Sequence, residues 1–121
     1  MSDPQHAAGP LPGSESVAFC LRLRPGCEAA EYQRRHDALW PEMRQALLEA
    51  GVLHYEIHLE PQSRLLFAFM VRRGDHQLDA LPQHPVWQRW QRHMSDMLVQ
   101  QDGQPLTVPL QRMFWMQAET G

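Results

Sequence analysis

The chain has 121 residues, 43% hydrophobic and 21% charged, with a formal net charge of -3 from 11 basic and 14 acidic side chains. That suffices for one globular domain of few elements, and the dispersed arginines make no basic stripe for nucleic acid. No apolar run approaches a membrane span, and the two cysteines, Cys20 and Cys27, suit reduced thiols in the cytoplasm.

Residues 1–14 include Pro4, Gly9, Pro10, Pro12 and Gly13. They show neither the basic nor the apolar region of a secretory leader, and they read as a disordered, dispensable tail before a single domain over 15–121. Val17, Phe19, Leu21 and Leu23 alternate as strand residues do, and Pro25-Gly26 ends that strand. Over 28–50 the pattern turns helical, with Tyr32, His36, Leu39, Met43 and Leu47 facing inward and Gly51 as the stop. Pro41 removes a backbone hydrogen bond within that stretch, so a kink or break is expected near Trp40.

Leu53, Tyr55, Ile57 and Leu59 alternate against His54, Glu56 and His58 in a second strand, which a turn at Pro61 ends. Residues 65–71 form a third strand, apolar on both faces. A short helix is expected over 77–81. A longer one should open at Pro85 and run to about residue 99, with Val86, Trp90, Met94 and Met97 inward. A loop over 101–107 and a last strand over 110–116 complete the chain. The order βαββαβ specifies an α+β, ferredoxin-like sheet with its helices on one face. Its other face is then too apolar to meet water, and a homodimer built sheet to sheet is the simplest remedy.

Tyr32 and His36 lie one helical turn apart, so a phenol and an imidazole can converge on one small polar ligand. The imidazole is the side chain suited to proton transfer near neutrality. If the first helix packs on the second strand, the Tyr55 hydroxyl points to the same side. Trp87, Trp90 and Gln91 share one helix, and indole faces stack on sugar rings while amides bond hydroxyls. His54 and His58 share the outer face of their strand but lie too far apart to chelate one ion, so no metal is expected. Arg34-Arg35 and Arg72-Arg73 read as solvated faces or strand ends.

Four blocks resemble the L-rhamnose mutarotase family: Glu31-Tyr32-Gln33-Arg34-Arg35-His36 through Trp40-Pro41-Glu42; Gly51 through Tyr55-Glu56-Ile57-His58-Leu59; Leu65-Leu66-Phe67-Ala68; and Gln88-Arg89-Trp90 with Met94, Asp96 and Met97. The resemblance implies a dimeric α/β barrel in which His36 is the proton donor and Tyr32, Tyr55 and Trp90 bind the sugar. The family's second tryptophan is Gln91 here, and Trp87, one turn earlier, could supply a substitute ring. The implied activity is interconversion of the α and β anomers of a 6-deoxy sugar such as L-rhamnose or L-fucose, without a cofactor, nucleic acid or membrane. A small dimeric-barrel monooxygenase and a non-catalytic ligand-binding dimer are the alternative readings.

Overall fold

The computed structural model describes residues 6–118. Two long antiparallel pairings make the centre of the sheet. Strand β2 (Ser14–Arg22) pairs with β4 (Leu65–Arg73), and β4 pairs with β3 (Val52–Glu60). In this register Leu21 faces Leu66, Phe19 faces Ala68 and Val17 faces Met70, while Tyr55, Ile57 and Leu59 continue the same row on β3. That row points at the helices, because a strand sends alternate side chains to opposite faces. The other face carries Ala18, Cys20, Phe67, Phe69, His54, Glu56 and His58.

Helix α1 (Ala29–Asp37) and helix α2 (Pro41–Ala50) follow β2 as two pieces, broken at residues 38–40 as Pro41 requires. Pro41 sits in the first turn of α2, where its missing N–H costs nothing. Gly51 ends α2 at φ 116°, and a Cβ there would lie 2.9 Å from the Cβ of His76. The β3–β4 turn is fixed by the Glu60 carboxylate, which accepts from the backbone of Gln62 and Ser63 at 3.1 and 2.8 Å. A 3-10 helix (Leu78–Gln83) and helix α3 (Pro85–Met94) complete the helical layer. The core between the layers contains Leu21, Leu23, Leu66, Met43, Val86 and Met94, all buried.

Four features differ from the sequence expectation. Helix α3 stops at Met94, several residues early, because the guanidinium of Arg35 takes up the carbonyl of His93 at 2.8 Å and Leu98 bridges to Leu23. The loop expected over 101–107 contains a two-residue pairing of β5 (Gln100–Gln101) with β6 (Gln104–Pro105). The last strand is only β7 (Val108–Leu110), and residues 111–118 have no regular element. The cause lies at the other end of the chain. β1 (His6–Ala8) pairs with β2 opposite Val17, Ser16 and Glu15, the positions the last strand needs in order to continue. The tail expected to be disordered therefore contributes a strand; its first five residues lie outside the described ones. β7, β2, β4 and β3 stand side by side in that order, with the helices covering one face. This is the ferredoxin-like arrangement.

A cleft between the helices and strand β3

The row of side chains that β3 turns toward the helices meets α1, α2 and α3 across a cleft of about 900 Å³. Tyr32 and His36 enter from α1, Tyr55 from β3, and Trp87, Trp90 and Gln91 from α3. The same six residues also border an adjoining lobe of about 380 Å³ that reaches Phe19 and Met70. All six side chains singled out in the sequence thus surround one space, large enough for a monosaccharide. A separate cavity of about 320 Å³ on the outer sheet face is lined by Phe69, Leu110, Arg112, Phe114 and Trp115, with neither a histidine nor a phenol.

The aromatic rings are set against one another. The Tyr32 and His36 rings lie 4.4 Å apart between centroids, and the edge of Trp90 meets His36 at 5.5 Å and 89°. Tyr32 and Trp90 are both buried. His36 Nδ1 is 3.1 Å from the carbonyl oxygen of Tyr32. A carbonyl can only accept, so Nδ1 carries the hydrogen, and in the neutral ring Nε2 is left bare and free for a ligand. Burial lowers the His36 pKa below its ordinary value, against the opposing pull of the Tyr32 carbonyl and Asp37. The resting imidazole at neutral pH is therefore the uncharged form.

The two phenols behave oppositely to the imidazole. Burial, helped by the neighbouring Tyr55, raises the Tyr32 hydroxyl well above an ordinary phenol. Burial pushes Tyr55 up to about 12 although the residue borders the cleft and 37% of its surface is open. Both stay protonated and keep an O–H that can donate to a polar ligand.

Two supporting residues escaped the sequence reading. Trp40, in the break between α1 and α2, packs edge-on against Trp90 at 5.1 Å and over His93 at 5.3 Å. It holds the far side of the indole that borders the cleft. Arg35, expected on a solvated face, has only 16% of its side chain exposed. Its guanidinium bonds Glu31 at 2.8 Å, Asp96 at 2.8 and 3.2 Å and the His93 carbonyl, tying the helix of His36 to the end of the helix of Trp90. Arg72 is likewise only 15% exposed and pairs with Glu15 at 3.1 Å, whereas Arg34 and Arg73 are at the surface as expected. The i+4 spacing from Glu31 to Arg35 was the available signal; the Asp96 contact spans 61 positions and leaves none.

His54 and His58 stand on either side of the Glu56 carboxylate. Each donates from Nε2 to a different oxygen of Glu56, at 2.8 and 2.7 Å, on the outer sheet face. Among the described residues no group of three His, Cys, Asp or Glu side chains is placed to hold a metal ion. None of the described helices is long and apolar enough to cross a membrane.

A model of the L-rhamnose mutarotase family matches residues 16–116. The chain belongs to that family. It is 48% identical over 103 residues to an L-rhamnose mutarotase of Jannaschia sp. (strain CCS1), covering 84% of this chain and 98% of the relative. It is 50% identical over 104 residues to the L-rhamnose mutarotase of Verminephrobacter eiseniae (strain EF01-2), covering 85% and 97%. The crystal structure of L-rhamnose mutarotase from Formosa agariphila superposes with a TM-score of 0.74 at 34% identity, over 84% of this chain and 98% of that one. The enzyme is accordingly a carbohydrate isomerase, a mutarotase that interconverts the α and β anomers of a 6-deoxy sugar such as L-rhamnose. This decides against the monooxygenase and the non-catalytic dimer.

Proposed function

We propose that the Tyr32–His36–Tyr55–Trp90 cleft is where mutarotation takes place, with His36 handling the proton. The observation that carries this reading is the Nδ1 bond of His36 to its own helix, which leaves Nε2 as the one nitrogen free for a ligand. Ring opening breaks the anomeric O1–H bond and the bond from C1 to the ring oxygen. His36 Nε2 takes the O1 proton as C1=O forms, and the electron pair of the broken bond goes to the ring oxygen. The imidazolium then donates its proton to that oxygen, which shares C1 with O1 and so lies within reach of the same nitrogen. The open-chain aldehyde turns about the C1–C2 bond, and the reversed steps close the ring on the other face. His36 is thus the proton donor, but only after it has accepted. One positioned acid–base group of this kind supplies roughly 10²–10⁴-fold acceleration.

Tyr32 and Tyr55 orient sugar hydroxyls through their retained O–H groups. Trp90 offers an indole to the sugar's C–H face, and Trp87 with Gln91 stands in for the second tryptophan that the family resemblance implies. L-Rhamnose is the substrate we assign, with L-fucose the alternative. The working unit is a homodimer, supported by the uncovered outer sheet face where Phe67 and Phe69 remain over a third exposed. The unpaired thiols of Cys20 and Cys27 support a cytoplasmic setting. Saturation-transfer NMR between anomer signals, run over a panel of 6-deoxy and ordinary hexoses, tests the assignment directly. Fastest exchange on L-rhamnose is expected; no enzyme-dependent exchange on any 6-deoxy sugar would sink it.

A further inference from the structure

Helix α3 ends at Met94, and the chain comes back beside it as the β5–β6 hairpin. Asp102-Gly103 makes the reversal, both residues in the left-handed region at φ 54° and 80°, as a two-residue hairpin turn requires. Between α3 and the hairpin lies a groove of about 390 Å³, whose lining includes Trp87, Gln91, Arg92, Ser95 and Gln104. It adjoins the sugar cleft. Trp87 and Gln91 border both spaces, and Gln104 borders the groove and the lobe that reaches Phe19. Position 91 therefore stands between cleft and groove, and the family resemblance implies a tryptophan there. An amide is the smaller group, so the wall between the two spaces is low in this chain. Among the described residues no ring is stacked on Trp87, and the side chains of Gln91, Arg92 and Gln104 make no hydrogen bond or ion pair within the chain.

We propose that this groove receives a second sugar ring, so that the enzyme mutarotates L-rhamnose at the reducing end of a short oligosaccharide as well as the free monosaccharide. This rests on the cleft being where mutarotation takes place. The groove has the chemistry of a sugar subsite: an indole with an open face for the C–H side of a ring, and two amides and a guanidinium with unused donors for its hydroxyls. Size points the same way. At about 900 Å³ the cleft lies near the top of the roughly 300–1,000 Å³ that pockets for drug-sized ligands occupy, and one pyranose ring is small for it. The reaction permits the extension. It needs a free O1–H and the bond from C1 to the ring oxygen, so the second ring must be attached through O2, O3 or O4, which take no part. After ring opening only the aldehyde turns about the C1–C2 bond, and a ring held through one of those oxygens stays where it is bound.

Saturation-transfer NMR on the full chain tests this with free L-rhamnose and with disaccharides that carry a glucosyl group on O2, O3 or O4 of a reducing L-rhamnose. Enzyme-dependent exchange at the reducing end is expected for at least one linkage, at a kcat/KM within about tenfold of that for the free sugar. Arg92 borders the groove and not the cleft. Arg92→Ala should therefore raise KM for that disaccharide about three- to tenfold, the loss of a hydrogen bond or two, and leave exchange on free L-rhamnose at the parent's rate. Gln91→Trp, which raises the wall, should lower the ratio of disaccharide to monosaccharide kcat/KM by about tenfold or more. Exchange on free L-rhamnose with none on any of the disaccharides overturns the groove and leaves the cleft standing. A disaccharide handled equally well by the parent and both variants has its second ring elsewhere, which also overturns the groove. Absence of exchange on every free 6-deoxy sugar overturns the reading of the cleft, and the groove with it.

Discussion

At the level of single residues, His36 is governed by two opposing influences: burial disfavours its charge, and the Tyr32 carbonyl favours it. Burial is the larger. With the acceptor form resting, activity is fully present above the native pKa and is lost as pH falls through it. The acidic limb of the rate profile is therefore expected below the ordinary imidazole value of about 6.5. An exchange rate that instead declines as pH rises through this range would assign the resting enzyme to the imidazolium. His36→Ala should lower exchange by roughly 10²–10⁴-fold with the fold retained; near-full activity in that variant, measured by anomer exchange, refutes the mechanism. Trp90 needs gentler treatment, since it is buried as well as facing the cleft. Trp90→Ala would cost about 3–5 kcal/mol of stability, so Trp90→Phe, read as a rise in KM with kcat nearly kept, is the cleaner test of its contact with sugar. Gln91→Trp should shift the ranking of sugars in the exchange panel, because an amide that bonds hydroxyls gives way to a ring that stacks. An unchanged ranking places Gln91 outside the sugar's reach.

Among the secondary-structure elements, what could be read locally was read, and what depended on distant partners was not. The break between α1 and α2 follows from Pro41 alone, and the β3–β4 hairpin follows from alternation around Pro61. The six cleft residues were identifiable because each shows its type and its spacing within one element. The early end of α3 was not, since Arg35 imposes it from a different helix. Nor was the short last strand: its residues alternate as a strand should, but the edge they need is taken by residues 6–8, a hundred positions away. Proline and glycine content over 1–14 says that the segment resists a long element; it does not exclude three residues pairing with a ready edge. Gly51 is the element boundary with the sharpest expected cost. At φ 116° with His76 against it, Gly51→Ala should destabilise the fold by about 1–3 kcal/mol, seen as a lower midpoint in urea at constant slope. A midpoint equal to the parent's would mean that the α2–β3 junction yields more readily than its geometry implies.

For the molecule as a whole, one side of the sheet is covered and the other is open. The helices bury the row from Phe19 and Leu21 through Leu66 and Ile57, whereas the opposite face leaves Phe67, Phe69 and Val108 at the surface, next to Met113, Phe114 and Met116. Apolar area in that quantity is ordinarily removed from water, at roughly 25 cal/mol for each Å² buried. Among the described residues of one chain no element is left to cover it. The homodimer proposed above would cover it, and association would then contribute to the stability of the folded state and make that stability depend on protein concentration by mass action. The apparent Tm should rise steadily over a roughly hundredfold increase in concentration, as linkage between folding and dimerisation requires. Placing a charge in the middle of the open face, as in Phe69→Glu, should flatten that dependence and lower the Tm at high concentration toward its dilute value, while leaving the helix-side cleft and its residues in place. A Tm that is the same at every concentration in the parent chain would show that the open face stays in water, and that its aromatic side chains contribute nothing to holding this fold together.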